Sequence, residues 1–262
     1  MTEIIIAVVV VTVVGIICAV GLSVASKVMA VEVDERIPMV RECLPGANCG
    51  GCGYPGCDGY AAALVEDPDL SLTLCAAGGP ACAEAMGKVL GRAAGEMVKS
   101  YAYVNCLGTC DATSNKMDYQ GISTCKAAKL MFGGAGKCTY GCMGLGDCTR
   151  ACPSDAIHVG PDGIAHVDKN LCTGCGACAK VCPNSVISVL PADIKVRVSC
   201  SSRDKGAVAR KKCTAGCIGC GMCMRKCPSG AVTVVNNLAV IDYSKCTACG
   251  TCAEVCPSKC IK

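Results

Sequence analysis

Cysteines at fixed short spacings are the feature of this chain most able to do chemistry. Between residues 138 and 182 they stand at 138, 142, 148 and 152 and then at 172, 175, 178 and 182. Between residues 213 and 256 they stand at 213, 217, 220, 223 and 227 and then at 246, 249, 252 and 256. Every last cysteine of a run, Cys152, Cys182, Cys227 and Cys256, is followed by proline. In a C-x2-C-x2-C-x3-C-P run the first three thiolates loop round one [4Fe-4S] cluster and the fourth serves the neighbouring cluster. Crossing the ligands in this way groups Cys217, Cys220 and Cys223 with Cys256, and Cys246, Cys249 and Cys252 with Cys227. It also groups Cys172, Cys175 and Cys178 with Cys152. The remaining set is irregular, because Leu145 stands where Cys220 stands in the second copy. Cys142, Cys148 and Cys182 remain, and Cys138 is the nearest replacement. On that reading Cys213, its counterpart, is a spare thiol. One-electron transfer is the chemistry such sites perform.

A further set lies earlier. Cys49, Cys52 and Cys57 form a C-x2-C-x4-C triplet in a glycine-rich stretch, and Cys75 can supply a fourth ligand. Glycine permits the close backbone approach that a cubane requires. Four thiolates can also hold zinc tetrahedrally, with iron–sulfur the favoured reading here, whereas the Cys-Pro runs point to iron and sulfide outright. About five clusters are expected. Four of Cys106, Cys110, Cys125, Cys200 and Cys213 could build a sixth; Cys125 and Cys200 precede Cys138 and Cys213 by the same distance. Cys43 and Cys82 read as small buried side chains, and Cys18, Cys260, His158 and His166 are assigned no ligand role. The stretch from Gly133 to Thr139 resembles a phosphate loop only loosely and reads as a turn.

The elements that must position these residues follow from the rest of the chain. With 29 cysteines, one Phe and no Trp, the folded units cannot rest on large aromatic cores. An odd cysteine count and the absence of a secretory cleavage signal favour reduced ligands over disulfides. Residues 4 to 25 are almost continuously apolar, the length that spans a bilayer. Lys27, Arg36 and Arg41 follow the run, which places the remainder on the cytoplasmic side of the cytoplasmic membrane as a single-pass protein. Residues 31 to 38 read as a juxtamembrane connection, and Asp58 to Glu66 as a helix. The expected class is α+β: a transmembrane anchor over 1–30, a small [4Fe-4S] domain over 31–95, and tandem ferredoxin-like modules over 96–192 and 193–262, each with a central hairpin. The formal charge of +4 counts the cysteines as neutral, and five loaded clusters would carry it to about −6. Arg210 to Lys212, the only tight basic run, reads as a solvated loop, with a docking edge for an acidic partner as the alternative, and no nucleic-acid partner is implied.

One apolar span, the motif L-P-G-A-N-C-G-G-C-G-Y-P-G-C at residues 44–57, C-A-A-G-G at 75–79 and G-C-M-G-L-G-D-C at 141–148 together resemble the B subunit of the Rnf complex, an ion-translocating ferredoxin:NAD oxidoreductase. The resemblance covers nearly the whole chain. It implies an electron-transfer subunit that takes electrons from reduced ferredoxin and passes them to other subunits, with NAD, flavins and the ion path elsewhere. A relay to another membrane oxidoreductase has the same chemistry, and a cluster-based sensor or scaffold is the alternative from another class.

Overall fold

The structure is a computed structural model that describes residues 2–28 and 34–262. Helix α1 (Thr2–Val28) is 27 residues long with Glu3 and Lys27 as its only charges, about 40 Å at 1.5 Å per residue. Its described apolar side chains are exposed, Ile17 by 65% and Leu22 by 72%. Taken over the described residues alone, no helix is long and apolar enough to cross a membrane. The expectation of a span therefore rests on the almost continuously apolar sequence of α1 as a whole. Part of the expected juxtamembrane connection, residues 31–33, lies outside the described residues. Its remainder runs into helix α2 (Arg36–Cys43), which Arg36 opens. Pro38 is tolerated there, since amides of a first helical turn need no partner.

The N-terminal domain packs α2 against α3 (Gly56–Glu66) and α4 (Gly79–Leu90). Its core is built from Val40, Tyr60, Leu64 and Met86, each 1% exposed or less. Tyr60 resolves its buried hydroxyl by donating to the Ser71 carbonyl at 2.7 Å. Arg41 Nε donates to Asp58 Oδ1 at 2.7 Å and ties α2 to α3. Arg92 reaches back to the carbonyls of Leu64 and Leu70 beyond the left-handed cap at Gly91.

The first module opens with β1 (Ser100–Val104), passes through α5 (Cys125–Leu130) and α6 (Asp147–Arg150), and forms a hairpin of β2 (Ile157–Val159) and β3 (Ala165–Val167). It ends with α7 (Ala177–Val181) and β4 (Ile187–Pro191), which returns antiparallel to β1 with Ala102 opposite Val189. The second module contains α8 (Gly206–Lys212), α9 (Met222–Lys226), a hairpin of β5 (Val232–Val235) and β6 (Leu238–Ile241), and α10 (Thr251–Glu254). Both hairpins fall on the stretches expected from the sequence. In place of the β1–β4 pair, the second module closes with a bridge between Val198 and Ile261, flanked by Arg197 and Lys262 exchanging backbone hydrogen bonds at 2.7 and 2.9 Å. Arg210 to Lys212 is not a loop but the last turn of α8, where cations favour the helix dipole. His158 and His166 face each other across the first hairpin, and His166 pairs with Asp162 at 2.9 Å.

The N-terminal domain meets the first module through backbone. The Lys180 ammonium donates to the Gly50 carbonyl, and a Cβ on Gly51 would collide with the Cys175 carbonyl oxygen. Gly51 is therefore required for steric reasons. Gly51→Ala should retain its iron yet expose the connection between residues 91 and 99 to limited proteolysis, read by mass spectrometry against the parent. Unchanged cleavage would show that the loop has room to spare.

Candidate metal centres

Four ligand loops share one construction. Each ends in a left-handed glycine, Gly146, Gly176, Gly221 or Gly250, with φ between 69° and 81°. That conformation costs a residue with a side chain about 1–2 kcal/mol. The glycine starts α6, α7, α9 or α10, and the short helix carries the third cysteine inward. Cys148, Cys178, Cys223 and Cys252 are all buried, at 6–8% exposure. The following Cys-Pro ends the turn, because proline has no amide with which to continue it.

These loops surround small cavities. One is lined by Cys217, Cys220, Cys223 and Cys256, with Cys260 beside them. Another is lined by Cys152, Cys172, Cys175 and Cys178, and that of the N-terminal domain by Cys49, Cys52, Cys57 and Cys75, with Cys175 at its edge. Cys227 and Cys246 are near enough to act electrostatically on Cys252, and Cys227 on Cys249. The remaining first-module cavity holds Cys142, Cys148 and Cys182, but its fourth cysteine is Cys125, not Cys138. Cys125 is the first residue of α5, whose next amide, on Lys126, is held by Asp147 Oδ2 at 3.0 Å. The segment inserted before Cys138 thus brings a thiol to the set from which Leu145 removes one. Cys138 lies in a separate, larger cavity with Cys106, Cys110, Cys200 and Cys213.

Backbone amides point at these sulfurs. Ala102 donates to Cys172 Sγ at 3.4 Å, Ala156 to Cys152 Sγ at 3.3 Å, and Ala248 to Cys246 Sγ at 3.4 Å. Hydrogen bonds to cluster sulfurs are among the determinants of reduction potential. Burial, reinforced by neighbouring thiols, pushes Cys148 up to about 11 and Cys178 up to about 12. Loading these sites therefore releases protons. Two cysteines assigned no ligand role also touch the sites. The Cys82 thiol has the Cys43 carbonyl at 2.9 Å and, when Cys75 ionises, the Cys75 sulfur, whose pKa it lowers to about 6. Cys260, 1% exposed, does the same for Cys217 and stands 3.6 Å from Cys256 Sγ. No spacing signals this contact, because Cys260 lies outside every run.

Among the described residues no three His, Cys, Asp or Glu side chains converge as they would on a single ion. The cysteines instead ring cavities, which suits a ligand of several atoms better than one zinc reached at about 2.3 Å. The site class is thus that of a ferredoxin-type iron–sulfur protein with an additional N-terminal cluster domain. Residues 137–189 and 211–257 each match a family described as "4Fe-4S dicluster domain", and residues 44–76 one described as "Putative Fe-S cluster". The chain is 44% identical over 231 residues to the B subunit of the Na+-translocating ferredoxin:NAD+ oxidoreductase complex of Acetobacterium woodii, covering 88% of this chain and 69% of that one. It is 43% identical over 244 residues to the B subunit of the proton-translocating ferredoxin:NAD+ oxidoreductase complex of Clostridium ljungdahlii, covering 93% and 86%. The B subunit of the ion-translocating oxidoreductase complex of Methanosarcina acetivorans is 41% identical over 231 residues, covering 88% and 87%. The chain belongs to this family, the B subunits of Rnf-type complexes.

Two outcomes follow from the ligand geometry. Cys125→Ala should remove one cluster from the first module, seen as a loss of about four irons or a three-iron electron paramagnetic resonance (EPR) signal, and adding Leu145→Cys should restore it. If Cys125→Ala keeps its full iron, the assignment of Cys125 is wrong. Cys260→Ala should keep the iron but move one second-module potential to a more negative value, because a donor to ligand sulfur is lost. Potentiometric EPR titration reads this shift, and an unmoved potential would show that the Cys260 proton does not serve the cluster.

Proposed function

We propose that this chain is the membrane-anchored electron-transfer subunit of a ferredoxin:NAD oxidoreductase that moves ions, and that it receives its electrons from reduced ferredoxin. The observation that carries the reading is the continuity of the cysteine sites. Cys175 belongs to one first-module set and borders the N-terminal cavity, and within each module Cys-Pro ligands cross between neighbouring sets. Residues of this chain do three things: they hold the clusters, aim amides at the ligand sulfurs, and keep the inner cysteines from water. The clusters, when bound, supply one-electron redox chemistry.

Helix α1 is the proposed anchor, supported by its length and apolar sequence. Lys27 is the cation nearest its end. Arg36 and Arg41, which also follow it, are paired with Asp34 at 2.6 Å and Asp58 at 2.7 Å; the positive-inside bias counts Lys and Arg and not net charge, so a cytoplasmic location of the modules remains the reading. The relatives' names differ on the ion, Na+ in one and protons in another at nearly equal identity. The proposed docking region for ferredoxin is the second module, where Cys220 and Cys249 are exposed and Arg225 and Lys226 close α9.

The chain lacking residues 1–30, prepared without oxygen, should be soluble and brown, hold at least about 20 irons, and oxidise reduced ferredoxin. Electron uptake should slow steeply as ionic strength passes about 0.15 M, where the Debye length is about 8 Å. A colourless zinc protein would end the reading; uptake indifferent to salt would remove only the electrostatic docking.

A further inference from the structure

The two modules meet round a cavity of about 570 Å³ lined from both sides, with Cys106 and Cys138 on one and Cys200 and Cys213 on the other. We infer that Cys106 and Cys138 from the first module and Cys200 and Cys213 from the second together hold a sixth [4Fe-4S] cluster at this junction. The inference rests on the multi-cluster reading above and extends it to a site shared between the modules.

The four cysteines are arranged as two equivalent pairs. Cys106 Sγ accepts from the amides of Gly108 at 3.3 Å and Cys142 at 3.4 Å. Cys200 Sγ accepts from the amides of Ser202 at 3.4 Å and Cys217 at 3.2 Å. In both, one donor lies two residues ahead, as Ala248 does for Cys246, and the other is the first loop cysteine of the adjacent set. Cys138 and Cys213 precede those same cysteines by four residues, each between a lysine and a threonine. The chain therefore presents one Cys-plus-Cys half-site per module. Cys106 follows β1 by two residues, and Cys200 follows the bridging Val198 by two.

Proximity supports one site. A Cβ on Gly108 would lie 3.4 Å from Cys106 Sγ and 3.9 Å from Cys213 Sγ, and one on Gly141 would lie 3.6 Å from Cys106 Sγ and 3.7 Å from Cys138 Cβ. Cys138 acts electrostatically on Cys106, Cys200 and Cys213 alike. Cys110 is exposed, shares none of these relations, and is left outside the set. The cavity wall also contains Ser199, 0% exposed, whose hydroxyl has no hydrogen-bond partner among the described residues. The junction is clamped: Thr113 Oγ1 donates to the Lys212 carbonyl at 2.7 Å, Thr214 N to the Ala112 carbonyl at 2.9 Å, and Ser201 Oγ to the Asn105 carbonyl at 3.0 Å. With this site the cysteine sets form an unbroken row from the N-terminal domain to the end of the second module. Without it the row breaks between Cys142 and Cys217.

The test uses the full chain, purified anaerobically in mild detergent after iron and sulfide reconstitution, with iron, zinc and EPR measured on each variant. The parent should hold about 24 irons. Cys138→Ala, Cys213→Ala and Cys106→Ala should each lose the same four, or show the same three-iron signal. The double variant Cys138→Ala/Cys213→Ala should lose no more than either single variant, and Cys110→Ala should lose none. That non-additivity separates loss of one shared site from general misfolding, which would strip the other clusters too. A parent with about 20 irons whose Cys138→Ala and Cys213→Ala variants match it would overturn the sixth site and leave the five-cluster reading standing. Absence of iron from the parent would instead overturn the reading on which the inference rests.

Discussion

Thiolate coordination is the interaction on which this structure depends. A chain with one Phe and no Trp has little large apolar surface to bury, and in both modules the core residues are interleaved with ligand cysteines. Val196, Val232 and Ile261 pack with the ligand cysteines Cys217, Cys223 and Cys252, and with the non-ligand Cys260, in one module, and Ala102, Ile157 and Val186 with Cys148 and Cys178 in the other. Metal binding to sites absent from the unfolded chain is folding free energy. Hairpins of three or four residues per strand are marginal alone; anchored at both ends by ligand loops, they need only span the distance between two sites.

The two modules repeat one cysteine pattern and differ at one loop position, Leu145 against Cys220. The second keeps the regular loop, with Cys220 in place. The first has given up that cysteine and takes one from the insertion, so Cys125 enters its site from outside the loop. The insertion also lengthens the path from Cys106 to Cys138, and Asn115 bridges to Gly136 at its closing end. It leaves the equivalence of Cys106 and Cys200 intact in space while erasing it from the spacing.

That explains what can be read from the sequence. The hairpins, the Cys-Pro turns, the crossed sets of the second module and the N-terminal triplet all rest on short-range spacing, and short-range spacing is preserved in the primary sequence. Spacing pairs Cys125 with Cys200, because both stand the same distance before a Lys-Cys-Thr, yet the structural partner of Cys200 is Cys106. Nearness along the chain favours Cys138 as the replacement ligand, although a loop can turn a neighbouring thiol toward a different cavity. Cys82 and Cys260 carry no motif, and only burial against Cys75 and Cys217 reveals their contact with ligand sulfurs. Long-range juxtaposition leaves no periodic trace.

The uneven burial of the ligand cysteines bears on how the protein meets air. Cys148 and Cys178 are buried in the first module, and Cys57 and Cys75 in the N-terminal domain, whereas Cys220 and Cys249 of the second module stand in solvent. Susceptibility of sulfur to oxidation follows thiolate character and exposure. Oxidation in air is therefore expected to start at Cys220 and Cys249, the exposed members of the second module's sets, so that the module with the most open ligands is the one expected to lose its iron first in oxygen.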